Sequence, residues 1–361
     1  MAADEFRLRR ERLSAEFGTH KVDALAVSSA PNVRYLTGFT GSNGLLLALP
    51  GGDGVFFTDP RYRIQSQQEV SCPVKVATGP LLPQLMTAAR RLRVRRLGFE
   101  AAHLSCMLGD ALRKELPLGA TLVPVNGWIE QQRMTKSATE IAAIRRSVET
   151  NSAAFEQAAR HVRAGMREFD LAAELDYRMR RAGAESTAFE TIVATGARSA
   201  LPHARPSDAR LAAGDLVVVD MGAVQGGYCS DMTRMLFLGS PGTKVKRMYR
   251  TVLEAQLAAI DAVRPGVTAM YVDRAARQVL KAGKLDKAFV HSTGHGLGLE
   301  IHEPPRVGKR EKTRLEPGMA ITIEPGAYLE GFGGIRIEDT VVVTESGCEI
   351  LTPTPKELRV I

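Results

Sequence analysis

One short stretch, LVVVDMGAVQGGYCSDMT at residues 216–233, constrains the fold more than any other. It contains two apolar strand-like runs around a glycine turn, yet each run carries an aspartate, Asp220 or Asp231. If the strands close over a two-residue loop at Gln225-Gly226, these carboxylates lie directly opposite each other, roughly 5 Å apart at Cβ. Facing like charges destabilise a sheet, so the pattern predicts a bound cation.

A second strand pair offers two more carboxylates. Glu324 ends a strand that begins near Ala320, and a glycine-rich turn leads into GGIRIEDTVVV. Side chains alternate between the two faces of a strand, so Arg336 and Glu338 share one face. The same alternation points Asp339 the other way. The apolar residues around both glutamates predict a buried sheet.

Three of the seven histidines, His291, His295 and His302, fall within the glycine-rich run FVHSTGHGLGLEIHEPPR. Glycines at 294, 296 and 298 let the backbone approach another group closely. Four carboxylates and one imidazole suit a pair of divalent cations. The oxygen-rich ligand set favours Mn²⁺, and Co²⁺ and Zn²⁺ are also compatible with it.

Length and composition indicate a soluble two-domain chain. The 361 residues exceed one ordinary core, and the balance of 44% apolar and 24% charged residues is typical of globular proteins. We expect no membrane span, no export signal and, with four widely spaced cysteines, a reducing cytoplasm. We expect no nucleic-acid partner: the basic run RRLRVRR at 90–96 is interpreted as solvated helix and strand ends. The net charge of +8 is expected to favour solubility and the approach of anionic peptides.

The chain divides near residue 131. Residues 1–131 alternate strand-like and helix-like segments, which predicts an α/β domain. Ser137 and Glu140 have the spacing of a capping box and mark the start of a long helix. Residues 132–361 run from helices to strands and again from helices to strands. We predict an α+β domain with its helices on one face of the sheet.

Four motifs in the second half together resemble the pita-bread metallopeptidases: DMGAVQGGYCSDMTR, HSTGHGLGLEIHE, TIEPGAY and GGIRIED. The similarity is greatest to the Xaa-Pro aminopeptidases and the Xaa-Pro dipeptidases, or prolidases. In the first half, PNVRYLTGFTGSNG and FFTDPRY are similar to the creatinase-type N-terminal domain. The resemblance implies a creatinase-like α/β domain at 1–131, a pita-bread α+β catalytic domain at 132–361, and a homodimer.

The resemblance also implies a set of metal ligands: Asp220, Asp231, His295, Glu324 and Glu338. In that family pattern Glu338 bridges both ions, His295 binds one, and Glu324 also accepts a proton from the attacking water.

Five further residues match positions that contact the substrate in this family. His203 would position the substrate, and His302 would hydrogen-bond the peptide and assist the tetrahedral intermediate. His291 would be a further pocket histidine, and Tyr328 and Arg336 would line the pocket for the proline ring.

The function implied is hydrolysis of the Xaa-Pro bond at the N-terminus of peptides by a metal-bridging hydroxide. The residues leave open whether the substrate is a longer peptide or a dipeptide, whose carboxylate Arg306 or Arg336 would clamp. We favour the aminopeptidase, because no large insertion walls off the far end of the cleft. A metal-free creatinase, a methionine aminopeptidase and a non-catalytic binding module are disfavoured, since all five ligand positions, His302 and the N-terminal domain are present.

Overall fold

In the computed structural model, which describes residues 2–361, the chain forms two compact units, Met1–Arg133 and Met134–Ile361. No helix within the described residues is both long and apolar enough to cross a membrane. The arginines of the basic run at 90–96 are exposed, as predicted for solvated element ends.

The first unit is built on one six-stranded sheet in the order β4-β3-β2-β1-β5-β6. Its strands are β1 (Ala24–Val27), β2 (Gly44–Ala48), β3 (Gly54–Thr58), β4 (Val74–Val76), β5 (Arg96–Glu100) and β6 (Thr121–Val125). Its helices are α1 (Ala2–His20), α2 (Ala30–Thr37), α3 (Arg63–Glu69), α4 (Leu81–Arg91), α5 (Cys106–Glu115) and α6 (Trp128–Met134). Only β2 runs antiparallel to both of its neighbours, which confirms the α/β prediction.

The apolar strand runs of the first unit explain its core. Leu47 and Phe57 on neighbouring strands pack with Leu97 of β5. Helix α4 covers them with Leu85 and Ala88, residues on one face of that helix.

The second unit combines four helices with fourteen strands among the described residues. The helices are α7 (Ala138–Ala159), α8 (Glu168–Arg181), α9 (Thr243–Ala262) and α10 (Ala269–Ala282). The first strands are β7 (Ser186–Thr187), β8 (Ile192–Thr195), β9 (Leu216–Met221), β10 (Ala223–Gln225), β11 (Tyr228–Cys229), β12 (Met232–Phe237), β13 (Gly294–Gly296) and β14 (Glu303–Val307). The last are β15 (Ala320–Ile323), β16 (Gly326–Leu329), β17 (Gly333–Arg336), β18 (Asp339–Val343), β19 (Cys348–Ile350) and β20 (Arg359–Val360).

Helix α7 begins as the sequence predicts. The Ser137 hydroxyl accepts a hydrogen bond from the Glu140 N–H at 3.3 Å, and the Glu140 carboxylate accepts one from the Ser137 N–H at 3.0 Å. This confirms the capping box, which satisfies two backbone donors at the helix start.

The sheet that carries Asp220 is buried on both faces. Strands β8, β9, β12 and β20 form this sheet in the order β20-β12-β9-β8. Val217 and Val219 of β9 belong to a core cluster with residues of α7 and α8, whereas Val218 belongs to a second cluster that includes residues of β15, β17 and α9. Burial on both faces explains why β9 is a continuous buried apolar run rather than an alternating one.

The predicted register of the first hairpin is also wrong, by one residue on each strand. The loop is Gly226-Gly227, and Asp220 pairs with Thr233 rather than with Asp231. Both glycines have positive φ, 60° and 76°, as a two-residue hairpin turn requires, whereas Gln225 remains in the strand. The shift preserves the alternation, so Asp220 and Asp231 remain on one face as diagonal neighbours.

Candidate active site

Two strand pairs deliver four carboxylates to one place in the second unit. Asp220 lies in β9, and Asp231 immediately precedes β12. Glu324 follows β15 and Glu338 precedes β18, so these two stand opposite each other one step beyond the Ile323–Asp339 pair. The second hairpin therefore has the predicted arrangement, and all four carboxylates line one cleft.

His295 on β13 completes the group. Its Nε2 lies 3.5 Å from Asp231 Oδ2 and 3.5 Å from Glu324 Oε1. Its Nδ1 lies 2.9 Å from the backbone oxygen of Gly296, a contact that makes Nδ1 the protonated nitrogen and leaves the Nε2 lone pair facing the carboxylates. Ligand atoms of Asp231, His295 and Glu338 all lie within 4.8 Å of one another.

The glycines around His295 are required by close packing. A Cβ at Gly294 would lie 1.8 Å from the backbone oxygen of Thr322, and one at Gly296 would lie 2.3 Å from that of Pro304. Strand β13 is thus pressed between β14 and β15, which fixes the histidine that it carries. This confirms that the glycine run serves close backbone approach.

Three of the four carboxylates are buried, Glu324 is partly exposed to the cleft, and their charges are only partly compensated. Oδ1 of Asp220 and Oδ1 of Asp231 are buried and accept no hydrogen bond within the described chain. Burial and the charges of Asp220 and Glu324 raise the pKa of Asp231 well above its usual range. Burial and neighbouring carboxylates do the same to the pKa of Glu338, and burial raises the pKa of Glu324. Such a group is stable in its charged form only with cations between the oxygens.

The donor set therefore fits divalent metal ions. The residues able to hold them are Asp220, Asp231, His295, Glu324 and Glu338. Carboxylate oxygens with one imidazole favour Mn²⁺, Co²⁺ or Zn²⁺ over softer ions, and two dications balance four negative charges.

A cleft of about 850 Å³ opens over this group. His203, His291 and His302 line it, as the sequence predicts. The His302 ring stands edge-on to the His295 ring with centroids 4.5 Å apart. Burial and the nearby His295 lower the pKa of His302, so its imidazole is neutral near pH 7.

Tyr328 and Arg336, the two residues predicted for the proline pocket, are both engaged with side chains of the protein. Tyr328 is not among the residues that line the cleft; its hydroxyl bonds His291 Nε2 at 2.9 Å and Arg336 Nη1 at 2.6 Å. Arg336 reaches the cleft, but it donates to Asp220 Oδ2 at 2.6 Å and to Thr233 Oγ1 at 3.0 Å. Arg336 thus holds a carboxylate of the protein, which leaves it poorly placed to clamp a substrate.

Two more arginines line the cleft: Arg205, which pairs with Glu190 at 3.2 Å, and Arg306. Arg306 lies on β14 directly opposite His295, so the two side chains start roughly 5 Å apart on one face. Its neighbours Pro305 and Val307 are buried, whereas Arg306 is exposed to the cleft. Its guanidinium is therefore available for an anionic group beside the carboxylate cluster.

Comparison with known proteins identifies the family of both units. Residues 142–345 match metallopeptidase family M24, and residues 9–135 match the Creatinase/Prolidase N-terminal domain. The chain belongs to metallopeptidase family M24. This M24 chain has the creatinase-type and pita-bread domains that the sequence predicts, and it is a metallopeptidase.

Several relatives cover the chain from end to end. The Xaa-Pro dipeptidase of Pyrococcus furiosus is 36% identical over 97% of this chain and 99% of its own length. A solved Xaa-Pro dipeptidase from Bacillus anthracis is 37% identical, with a TM-score of 0.96 over 99% of this chain and 100% of that one. An X-Pro aminopeptidase structure from Thermotoga maritima is 36% identical, with a TM-score of 0.90 over 96% and 100% of the two chains.

One residue that sequence reasoning missed fixes a wall of the M24 cleft. The buried Glu168 carboxylate accepts hydrogen bonds from the Thr195 N–H at 2.8 Å and the Ser207 N–H at 2.9 Å. It also forms an ion pair with Arg198, whose Nε lies 3.0 Å from Glu168 Oε1. These contacts hold both ends of the loop that carries His203. In the sequence, Glu168 is one acidic residue in a helix start and gives no signal of this role.

A second group of potential ligands lies in the first unit and is satisfied without a metal. It comprises Glu100, His103 and Glu130. The Asn32 amide nitrogen donates to Glu100 at 2.7 Å and to Glu130 at 2.6 Å, occupying the space between them. Glu100 also accepts the Ser28 and Ser29 N–H groups, so the cluster ties β5 to the start of α2.

His291 gives the M24 domain a testable pH dependence. Burial and the Arg336 charge lower its pKa from 6.5 to about 4. Between about pH 6.5 and pH 4 the His291 imidazole is protonated in the unfolded chain but neutral in the folded chain. The contribution of His291 to the free energy of unfolding is therefore complete above pH 6.5 and is lost as pH falls towards 4. Between pH 7 and pH 5 we expect wild type to lose about 2 kcal/mol of unfolding free energy relative to His291→Gln.

Urea unfolding of the two proteins at pH 7, 6 and 5 measures this difference. His161→Gln is the matched control, because His161 is exposed. Parallel pH profiles for wild type and His291→Gln would contradict the assignment of a neutral, buried imidazole.

Proposed function

We propose that this chain hydrolyses Xaa-Pro dipeptides with a pair of divalent cations, most naturally Mn²⁺. The observation that carries the proposal is the cluster of buried carboxylates with orphaned oxygens beside the available Arg306. Bound cations would activate a water molecule and polarise the carbonyl of the substrate. Asp220, Asp231, His295, Glu324 and Glu338 are the proposed ligands. A homodimer of cytoplasmic location belongs to the same proposal, and light scattering at twice the chain mass would test the assembly.

The residues around the cluster have distinct proposed tasks. Glu324 is the proposed proton acceptor, since its side chain is 16% exposed while that of Asp231 is 7% exposed, so it faces the cleft water. Neutral His302 would donate a hydrogen bond to charge that develops on the carbonyl oxygen. His203 and His291 would flank the substrate from the two sides of the cleft.

The bond before proline poses a particular problem, because it is a tertiary amide without an N–H and proline fixes its own φ. Peptidases that hold an extended strand through backbone hydrogen bonds handle it poorly. A cleft walled by imidazoles does not depend on that N–H. Arg306 would pair with the proline carboxylate, and charge-assisted hydrogen bonds of this kind are strong and directional.

For substrate length we now prefer a dipeptidase to the aminopeptidase that the sequence favoured. The sequence favoured the aminopeptidase, whereas the named relatives that cover the whole chain are mostly Xaa-Pro dipeptidases. The contacts of Arg336 with Asp220 and Tyr328 support Arg306 as the clamp that a dipeptidase needs.

Purified protein loaded with Mn²⁺ should be offered Gly-Pro, Gly-Ala and Pro-Gly. We expect glycine release from Gly-Pro at least about a hundredfold faster than from the other two, because only Gly-Pro presents the scissile tertiary amide. Equal rates on all three dipeptides, or hydrolysis of none, would refute the proposed function.

Glu168→Gln tests the loop that holds His203. The amide keeps the size of the side chain but removes the negative charge that binds Arg198 and the N–H groups of Thr195 and Ser207. We expect kcat/KM for Gly-Pro to fall roughly tenfold to a hundredfold, and His203→Ala to add little in that background, because both act through one loop. Glu174→Gln on the same helix is the control, since Glu174 pairs with Arg178 near the surface. Fully additive effects of Glu168→Gln and His203→Ala would contradict this positioning role.

A further inference from the structure

The catalytic cleft does not end at Arg306. A groove of about 450 Å³ continues from it and shares His291, Ser292, Arg306 and Glu311 with the cleft. Its outer wall is the turn after β14, which contains Gly308, Lys309 and Arg310. The groove thus begins where the proposed clamp for the proline carboxylate stands.

The groove carries an unbalanced positive charge. Among the side chains of residues 5–361, no hydrogen bond or ion pair joins Arg306, Lys309 or Arg310 to another group. Lys309 and Arg310 are exposed. Three cations that form no ion pair with the described side chains converge on one concave surface, which focuses a positive potential there.

The other two charged residues of the groove are already engaged. Arg277 pairs with Asp273 at 2.7 Å and stacks over the Phe289 ring at 4.2 Å. The Glu311 carboxylate accepts hydrogen bonds from the Thr313 hydroxyl at 2.6 Å and the Thr313 N–H at 3.0 Å, so it is held by the backbone turn rather than by the cations. Asp273 balances Arg277, and Glu311 offsets one of the three other cations, so the groove keeps a surplus of positive charge.

With the proline carboxylate at Arg306, as proposed above, the groove is open to a peptide that continues past proline. In a tripeptide the proline carboxylate becomes an amide, and the terminal carboxylate moves about 3.5 Å further along the chain. That step leads from Arg306 towards Lys309 and Arg310. An acidic side chain at the third position brings a second carboxylate to the same cations.

We propose that Arg306, Lys309 and Arg310 form an anion subsite that admits peptides with an acidic residue directly after proline. The inference rests on the proposed function of the cleft and extends it from dipeptides to Xaa-Pro-Glu and Xaa-Pro-Asp. Hydrolysis consumes one water, breaks the Xaa-Pro amide and releases the amino acid Xaa and the dipeptide Pro-Glu or Pro-Asp. A lysine at the third position meets like charge and is rejected.

The test compares Gly-Pro-Glu with Gly-Pro-Lys on the Mn²⁺-loaded enzyme. We expect kcat/KM for Gly-Pro-Glu to exceed that for Gly-Pro-Lys by about tenfold at low salt, and the ratio to shrink as salt screens the charges. In the double variant Lys309→Ala, Arg310→Ala the ratio should fall to about two or less. Lys312→Ala, which removes an exposed lysine outside the groove, should keep the wild-type ratio.

Gly-Pro measured in parallel separates the two hypotheses. If Gly-Pro is hydrolysed but Gly-Pro-Glu is not, or if the double variant keeps the wild-type ratio, the anion subsite is refuted while the dipeptidase stands. If Gly-Pro itself is not hydrolysed, the proposed function fails and the subsite fails with it.

Discussion

Glu338→Gln is expected to abolish Gly-Pro hydrolysis and, in the same protein, to raise the melting temperature of the metal-free form. Activity should fall by roughly a thousandfold or more, because the loss of a ligand weakens the binding of the cations that activate water. The metal-free variant should melt at a higher temperature than metal-free wild type, because burial and neighbouring carboxylates hold the pKa of Glu338 well above its usual range and the amide carries no charge.

Asp339→Asn is the matched control for this stability effect. Asp339 is the adjacent residue and equally buried, but it pairs with Arg234 at 2.7 Å and accepts a hydrogen bond from Gln256 at 2.8 Å. The same change of acid to amide should therefore destabilise the protein by about 3–5 kcal/mol, since it removes the carboxylate charge that balances the buried Arg234 and the adjacent Lys356. Calorimetry of both metal-free variants measures whether each substitution raises or lowers the melting temperature. If metal-free Glu338→Gln melts below metal-free wild type, the electrostatic account of the cluster is wrong.

Arg306→Ala is expected to have the largest effect on substrate choice. Wild type should prefer Gly-Pro over its amide, Gly-Pro-NH₂, by about tenfold to a hundredfold, since one charge-assisted pair contributes roughly 1.5–3 kcal/mol. In Arg306→Ala the KM for Gly-Pro should rise by that factor, and the preference for the free carboxylate should disappear. Steady-state kinetics on the two substrates measures both effects.

Two further variants define the interpretation of Arg306. Arg306→Lys should recover only part of the preference, because an ammonium group cannot make the paired contacts of a guanidinium. Lys312→Ala should behave as wild type, since Lys312 lies outside the cleft and the groove. A wild-type ratio of Gly-Pro to Gly-Pro-NH₂ in Arg306→Ala would show that the proline carboxylate binds elsewhere.

The sequence predicted the fold class and the gathering of the carboxylates, because both follow from local alternation. Asp220 and Asp231 stay on one face of the hairpin even though the predicted register was wrong. The error came from the turn: the sequence Gln-Gly-Gly allows two positions for a two-residue loop, and the requirement for two positive φ angles selects Gly226-Gly227. A shift of one residue on each strand moves the partners without exchanging the faces.

Contacts between distant segments were beyond the sequence. From the sequence, Arg336 was predicted to line the pocket. In the structure its guanidinium donates a hydrogen bond to Asp220, more than a hundred residues earlier in the chain. Glu168 reads as a helix-start acid, and its role appears only when the ends of the His203 loop converge on it. The burial of Val217 and Val218 in two different core clusters likewise depends on how the chain returns across the sheet.

Metal titration tests the central claim most directly. Protein stripped with a chelator should be titrated with Mn²⁺ while Gly-Pro hydrolysis and bound metal are followed together. We predict no hydrolysis without metal and a plateau in activity at about two ions per chain, the number that four carboxylates balance. Full activity in the stripped protein, or a Mn²⁺-saturated protein that binds no ion, would contradict the account.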